Sequence, residues 1–79
     1  MRQFNAQKLK ADIMYEARVV GMPEGTSKPI AEKVAAAVEK WIQKRSAVTV
    51  EDINKRVSIE IEQYSPNLSY VYRNRGKII

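Results

Sequence analysis

The sequence predicts an all-α fold, a single small bundle of about four helices over residues 1–79. Three observations lead to that class. Apolar residues recur at the spacing of a helical face along most of the chain. Each such stretch is introduced by a capping residue or a proline. The single stretch that alternates like a strand has no partner elsewhere, and a lone strand would leave unpaired edges.

Asn5 is placed to cap the first helix, and Leu9, Ile13, Ala17 and Val20 recur behind it at helical spacing. Lys8, Lys10, Asp12, Glu16 and Arg18 fill its other faces, and Gly21 supplies the stop. Residues 22–28, with Pro23, Gly25, Thr26 and Ser27, have turn composition and predict a linker. Its shortness predicts antiparallel packing of the helices on either side.

Pro29 suits the first turn of a second helix, in which Ile30, Val34, Ala37, Val38 and Trp41 trace one face. Glu32, Lys33, Glu39, Lys40 and Lys44 are left for solvent, while Ala35 to Ala37 allow another helix to come close. Lys44 and Arg45 complement the dipole at its end. On this spacing Trp41 is expected in the core rather than as a stacking platform.

After Ser46 and Ala47 comes the clearest helix start. Thr49 can accept the Asp52 amide proton while Asp52 reaches back to the Thr49 amide, and Val48 and Ile53 are spaced as a hydrophobic staple. This start decides an ambiguity downstream. Residues 57–62 alternate like a strand, yet Ile53, Val57, Ile61 and Tyr64 also fall at helical spacing, and the capped start selects helix. Ile59 then lies off the main stripe, which predicts either a wide buried face or an apolar contact surface. Ser65 and Pro66 open a last short helix that turns Leu68, Val71 and Tyr72 inward and ends near Gly76.

Composition narrows the chemistry. Without histidine the chain lacks the usual proton shuttle, and without cysteine it has no disulfide, thiolate metal site or thiol nucleophile. A non-enzyme without a metal site is expected. No apolar run approaches the roughly 18 residues of a membrane span, and the N-terminus has no secretory apolar core, so a cytoplasmic protein is expected. Fourteen basic against nine acidic residues, net +5, favour an anionic partner without selecting among nucleotide, nucleic acid and simple solubility.

Several motifs reduce to structure. Gly21, Gly25, Thr26, Ser27 and Lys28 have the order of a phosphate loop reversed and follow no strand. Ser27, Ser46, Ser58, Ser65 and Ser69 have no histidine to activate them, and several stand where caps belong. A recognition helix over residues 50–64 would carry Glu51, Asp52, Glu60 and Glu62 into a polyanionic groove. Tyr70, Tyr72, Arg73, Arg75 and Lys77 suit a helix end whose cations answer the dipole and whose tyrosines pack inward; the same mixture could contact nucleotide or nucleic acid.

Three groups of residues, taken in order, carry a family likeness. Phe4, Asn5, Ala6, Gln7, Lys8 and Leu9 open the first helix; Thr49, Val50, Glu51, Asp52 and Ile53 open a later one, continued by Val57; Pro66, Tyr72 and Arg73 lie in the last. Their order and separations resemble the ATP-cone, a nucleotide-binding regulatory module best known from ribonucleotide reductases, over about residues 4–75. The resemblance implies that Lys8 contacts phosphate and that Asn54 lies near base or ribose. Thr49 and Val50 fall where the family's threonines stand. Only three residues precede Phe4, too few for the basic strand hairpin with which members usually open, so Arg2 is the expected replacement cation. Ser69 also stands where the family commonly has an aromatic residue.

The implied function is a non-catalytic regulatory domain that binds ATP or dATP and signals through helix packing or oligomerisation. Its partners would be the nucleotide and a second protein or second copy of the chain. Two alternatives stay open: a cone that has lost its ligand and acts as a protein-interaction module through Ile59, and nucleic-acid binding by the basic C-terminal helix.

Overall fold

Thr49 and Asp52 form the predicted capping box, and much of the architecture follows from it. In the computed structural model, which describes residues 5–74, the Asp52 amide donates to Thr49 Oγ1 at 3.0 Å and the Thr49 amide to Asp52 Oδ2 at 3.2 Å. Four helices result: α1 (Ala6–Val19), α2 (Glu24–Gln43), α3 (Val50–Glu62) and α4 (Pro66–Asn74). Among the described residues there is no strand, so the alternating stretch in α3 is resolved as helix.

Both ends of α1 are built as the sequence implies. Asn5 Oδ1 accepts the Lys8 amide at 3.1 Å. At the other end Gly21 adopts φ +80°, the left-handed conformation that side chains resist. There the Gly21 amide donates to the Arg18 carbonyl at 3.0 Å and the Met22 amide to the Ala17 carbonyl at 2.9 Å. These paired bonds satisfy carbonyls that the helix end would orphan.

The start of α2 departs from expectation. It lies at Glu24 rather than Pro29, so residues 24–28 of the predicted linker are helical and the connection shrinks to residues 20–23. Pro23 takes the N-cap position at ψ 149°, and its carbonyl accepts the Thr26 and Ser27 amides at 3.0 and 2.9 Å. Pro29 is consequently inside the helix. Its missing N–H deprives the Gly25 carbonyl, which belongs to an exposed residue that water can serve. The early start extends the buried stripe by one turn. Ser27, Ile30, Ala31, Val34, Ala35 and Val38 now run along one face, and Ser27 Oγ folds onto the Glu24 carbonyl at 3.4 Å.

The helices pack in a ring. α1 lies on α2, α2 on α3 and α3 on α4, with α4 closing onto α1, so that α1 and α3 are not backbone neighbours, nor are α2 and α4. The short connections, residues 20–23, 44–49 and 63–65, fold each helix back on its predecessor. Inside the ring Leu9, Ile13 and Ala17 meet the α2 stripe, Val57 and Ile61 of α3, and Leu68 and Tyr72 of α4. Val71, expected to face inward, is only half-buried.

Several expected core positions are less enclosed than their spacing implies. Trp41 and Ala37 are half-buried, and Tyr64 is exposed in the α3–α4 turn. Ile59 is exposed, so the face of α3 is narrow and its apolar surface points outward. Serines lock the last helix: Ser65 Oγ accepts the Leu68 amide at 3.1 Å, and buried Ser69 Oγ donates to the Ser58 carbonyl at 2.7 Å. The expected end near Gly76 lies outside the described residues. No helix among the described residues is long and apolar enough to cross a membrane.

The α1–α2 junction gives paired predictions of opposite sign. Gly21→Ala should lower stability by about 1 kcal/mol, because alanine must hold the left-handed conformation. Pro29→Ala should raise it by about 1 kcal/mol or more by restoring a helical hydrogen bond. Urea denaturation of both variants measures the two effects.

Candidate functional site

The C-terminal turns of α2 and the first half of α3 meet in a groove of about 290 Å³, lined by Trp41, Arg45, Asp52, Lys55, Arg56 and Ile59. Helical spacing assembles it. Trp41 lies in the last turn of α2 and Arg45 just beyond its C-cap, and Asp52, Lys55, Arg56 and Ile59 occupy a single face of α3 beside the core stripe. The capping box sets where that face points. A start displaced by one residue would turn it by about 100°.

The indole of Trp41 is the centre of the arrangement. The Arg45 guanidinium lies 4.7 Å from its ring centroid and that of Arg56 5.7 Å, both within reach of a cation–π attraction. Arg56 Nη2 also pairs with Glu60 Oε2 at 2.8 Å, and Glu60 is only 9% exposed. The other carboxylate oxygen, Oε1, accepts from Gln63 Nε2 at 3.0 Å. Asp52 is the groove's one acid, and its Oδ2 is already engaged by the Thr49 amide. Arg45, Lys55 and Arg56 therefore dominate the local field beside an aromatic surface and the exposed aliphatic Ile59.

No known protein family, curated protein or solved structure matches the chain. Its functional chemistry is therefore read from its own side chains.

The residues expected from the family likeness are distributed over two helices. Thr49 and Asn54 stand together at the start of α3, Thr49 as the N-cap with its hydroxyl accepting the Asp52 amide and Asn54 exposed in the next turn. Lys8 belongs to α1, which is not a direct backbone neighbour of α3; its ammonium lies 3.9 Å from Asp12 Oδ2 and is well exposed. Arg2 lies outside the described residues.

In α4, Tyr72 is buried in the core, leaving Tyr70 and Arg73 exposed; Arg75 and Lys77 lie outside the described residues. A second groove, about 270 Å³, runs between α1 and α2 over Ala11, Met14 and Ala31, with Gln7, Lys10, Lys28 and Glu32 at its sides. Among the described residues, neither groove is lined by Lys8, Thr49 or Asn54, the positions expected at a ligand.

Helical spacing does not point to the α2–α3 cluster, because it places Trp41 in the core. A signal was present all the same. Trp41 and Arg45 are separated by four residues, as are Arg56 and Glu60, both spacings that bring side chains together on a helix. What no local spacing contains is the approach of Arg56 to Trp41 across the α2–α3 connection.

The two arginines should separate in a stability measurement. Arg45→Met removes one partly solvated stacking contact and should cost less than about 1 kcal/mol. Arg56→Met also leaves Glu60 buried without its cation and should cost about 2 kcal/mol, less than a fully buried pair because Arg56 is partly exposed. Equal losses in chemical denaturation would contradict this division of roles.

Proposed function

We propose that this chain is a non-catalytic regulatory module that binds an adenine nucleotide, ATP or dATP, in the α2–α3 groove. Occupancy is relayed through helix packing to a partner protein or a second copy. The observation carrying this reading is the indole of Trp41 flanked by Arg45 and Arg56, with Lys55 on the same rim. A nucleotide offers the complementary pair of features, a flat π surface and a polyanion. Arginine is suited to both, stacking on rings and donating in a fork to phosphate oxygens. The groove volume lies just under the smallest usual for small-molecule sites.

The ATP-cone likeness supports the same ligand from different residues, since Thr49 and Asn54 begin the helix that also carries Lys55 and Arg56. A non-catalytic role fits the groove's side chains. Its one carboxylate is tied to a helix cap, and histidine and cysteine are missing from the sequence. A general base and an activated nucleophile are what hydrolysis would need.

Exposed Ile59 favours a second reading, in which the groove docks an acidic partner protein around an aliphatic centre. That reading predicts assembly independent of nucleotide.

The chain has one tryptophan, so a single indole N–H resonance reports directly on the groove. Titration with ATP or dATP should shift that resonance and the amides of residues 52–59 in ¹⁵N-resolved spectra. Arg45→Glu or Lys55→Glu should weaken the response by about tenfold or more, the loss of one charge-assisted contact. Spectra unchanged at millimolar nucleotide would refute the proposal, and sedimentation showing nucleotide-independent assembly would favour the docking alternative.

A further inference from the structure

Charge is sorted along α2. Lys33, Lys40 and Lys44 follow one another at intervals of seven and four residues, which places them in a single row on the helix, and all three are exposed. Ala37 fills the remaining place in that row and is half-buried. The row borders the α3 side, since the Lys33 ammonium stands 5.9 Å from the ring centroid of Tyr64 in the α3–α4 turn. Glu32 and Glu39, seven residues apart, share a different row, and Glu32 lines the groove toward α1. Among the described residues none of the three lysines stands in an ion pair. At its end the row runs into the α2–α3 groove, because Lys44, the C-cap of α2, directly precedes Arg45. On α3, Lys55 shares its row with exposed Glu51 and Glu62, so the row free of acids is the one on α2.

We infer that this row is a track for the phosphates of single-stranded nucleic acid, with one nucleotide of the strand held in the α2–α3 groove and its neighbours following Lys44, Lys40 and Lys33. The nucleotide in the groove rests on the reading proposed above; the track does not. The groove already offers Arg45, Lys55 and Arg56 to the phosphates of one nucleotide, which leaves the lysine row, about 16 Å of helix, for phosphates further along. An aromatic platform joined to a cationic track holds single strands with little regard to sequence. A duplex keeps its bases stacked on one another and presents no free face to Trp41 and its arginines. The row also carries no large apolar side chain that a lipid surface would take up.

A labelled deoxyadenylate strand of about ten nucleotides, followed by fluorescence anisotropy, tests the track, with ATP followed in parallel by the Trp41 indole resonance. The strand should bind at least about tenfold more tightly than ATP. Its log affinity should fall against log salt with a slope of about −2 or steeper, about 0.7 for each of the three lysines. Lys33→Gln combined with Lys40→Gln should flatten that slope by about 1.4 and weaken strand binding by about tenfold at low salt, while the ATP response stays as it was. Lys10→Gln combined with Lys28→Gln removes the same charge from the α1–α2 groove and should change strand binding by less than about twofold. Equal losses from the two pairs overturn the inference, as does equal binding of the strand paired with thymidylate. ATP binding with a strand bound no more tightly overturns it too, and leaves the nucleotide reading in place. An ATP response lost with Lys33 and Lys40 overturns it as well, since the row would then serve a single triphosphate. Strand binding that depends on Lys33 and Lys40, without any response to ATP, upholds the track and overturns the nucleotide reading.

Discussion

The reciprocal bonds between Thr49 and Asp52 fix the rotational setting of α3, and that setting determines what each side of the helix does. Val57 and Ile61 face the centre of the ring, whereas Asp52, Lys55, Arg56 and Ile59 line the outer groove. The two stripes are adjacent on one short helix, so neither can be turned without the other. A different start would expose the buried isoleucine and bury lysine, a far larger penalty than the roughly 1 kcal/mol of the cap itself. The cap has leverage because it chooses between registers whose energies differ by the whole face.

Charge in the groove is organised by burial. Glu60 is almost enclosed, and an isolated carboxylate there would be costly, so Arg56 and Gln63 supply its donors. Arg45 and Lys55 have no such partner drawn from the groove, whose one acid is engaged by a helix cap. The result is an excess of cation around an aromatic ring. Electrostatic attraction of an anion would be strongest there, because the indole and Ile59 displace water from part of the rim.

Legibility in the sequence followed the range of the interaction. Asn5, Gly21, Thr49 with Asp52, and Ser65 act within a few residues of themselves, and the structure uses each as its local chemistry implies. Pro29 misled because proline is a common opener of helices, and the competing opener, Pro23 followed by Glu24, lay inside a stretch with turn composition. The buried stripe continuing back to Ser27 was the evidence against Pro29 as the first turn, but a serine carries little weight in an apolar count. At the site, the start of α3 was legible and the groove was not. Trp41 and Arg56 meet only because a six-residue connection, 44–49, returns α3 along α2, and no periodicity within either helix reports that return.

The same geometry gives α3 a mechanical position between the groove and the rest of the ring. Arg56 and Ser58 are two residues apart, a rotation of about 200°, so they lie on nearly opposite sides of the helix. Arg56 faces Trp41 of α2, while the Ser58 carbonyl accepts the buried hydroxyl of Ser69 on α4. Tyr64, in the turn between α3 and α4, is reached from α2 by Lys33, whose ammonium stands 5.9 Å from the ring centroid. α3 is thus joined to α2 on one side and to α4 on the other, and α4 in turn closes the ring onto α1. A ligand in the groove shifts the packing only by the difference in its affinity for two arrangements, and that difference must come from groups whose positions change. Of the two arginines at the indole, Arg56 is the more deeply tied into the fold, since it joins the aromatic surface to the enclosed Glu60 and, through Glu60, to the end of α3.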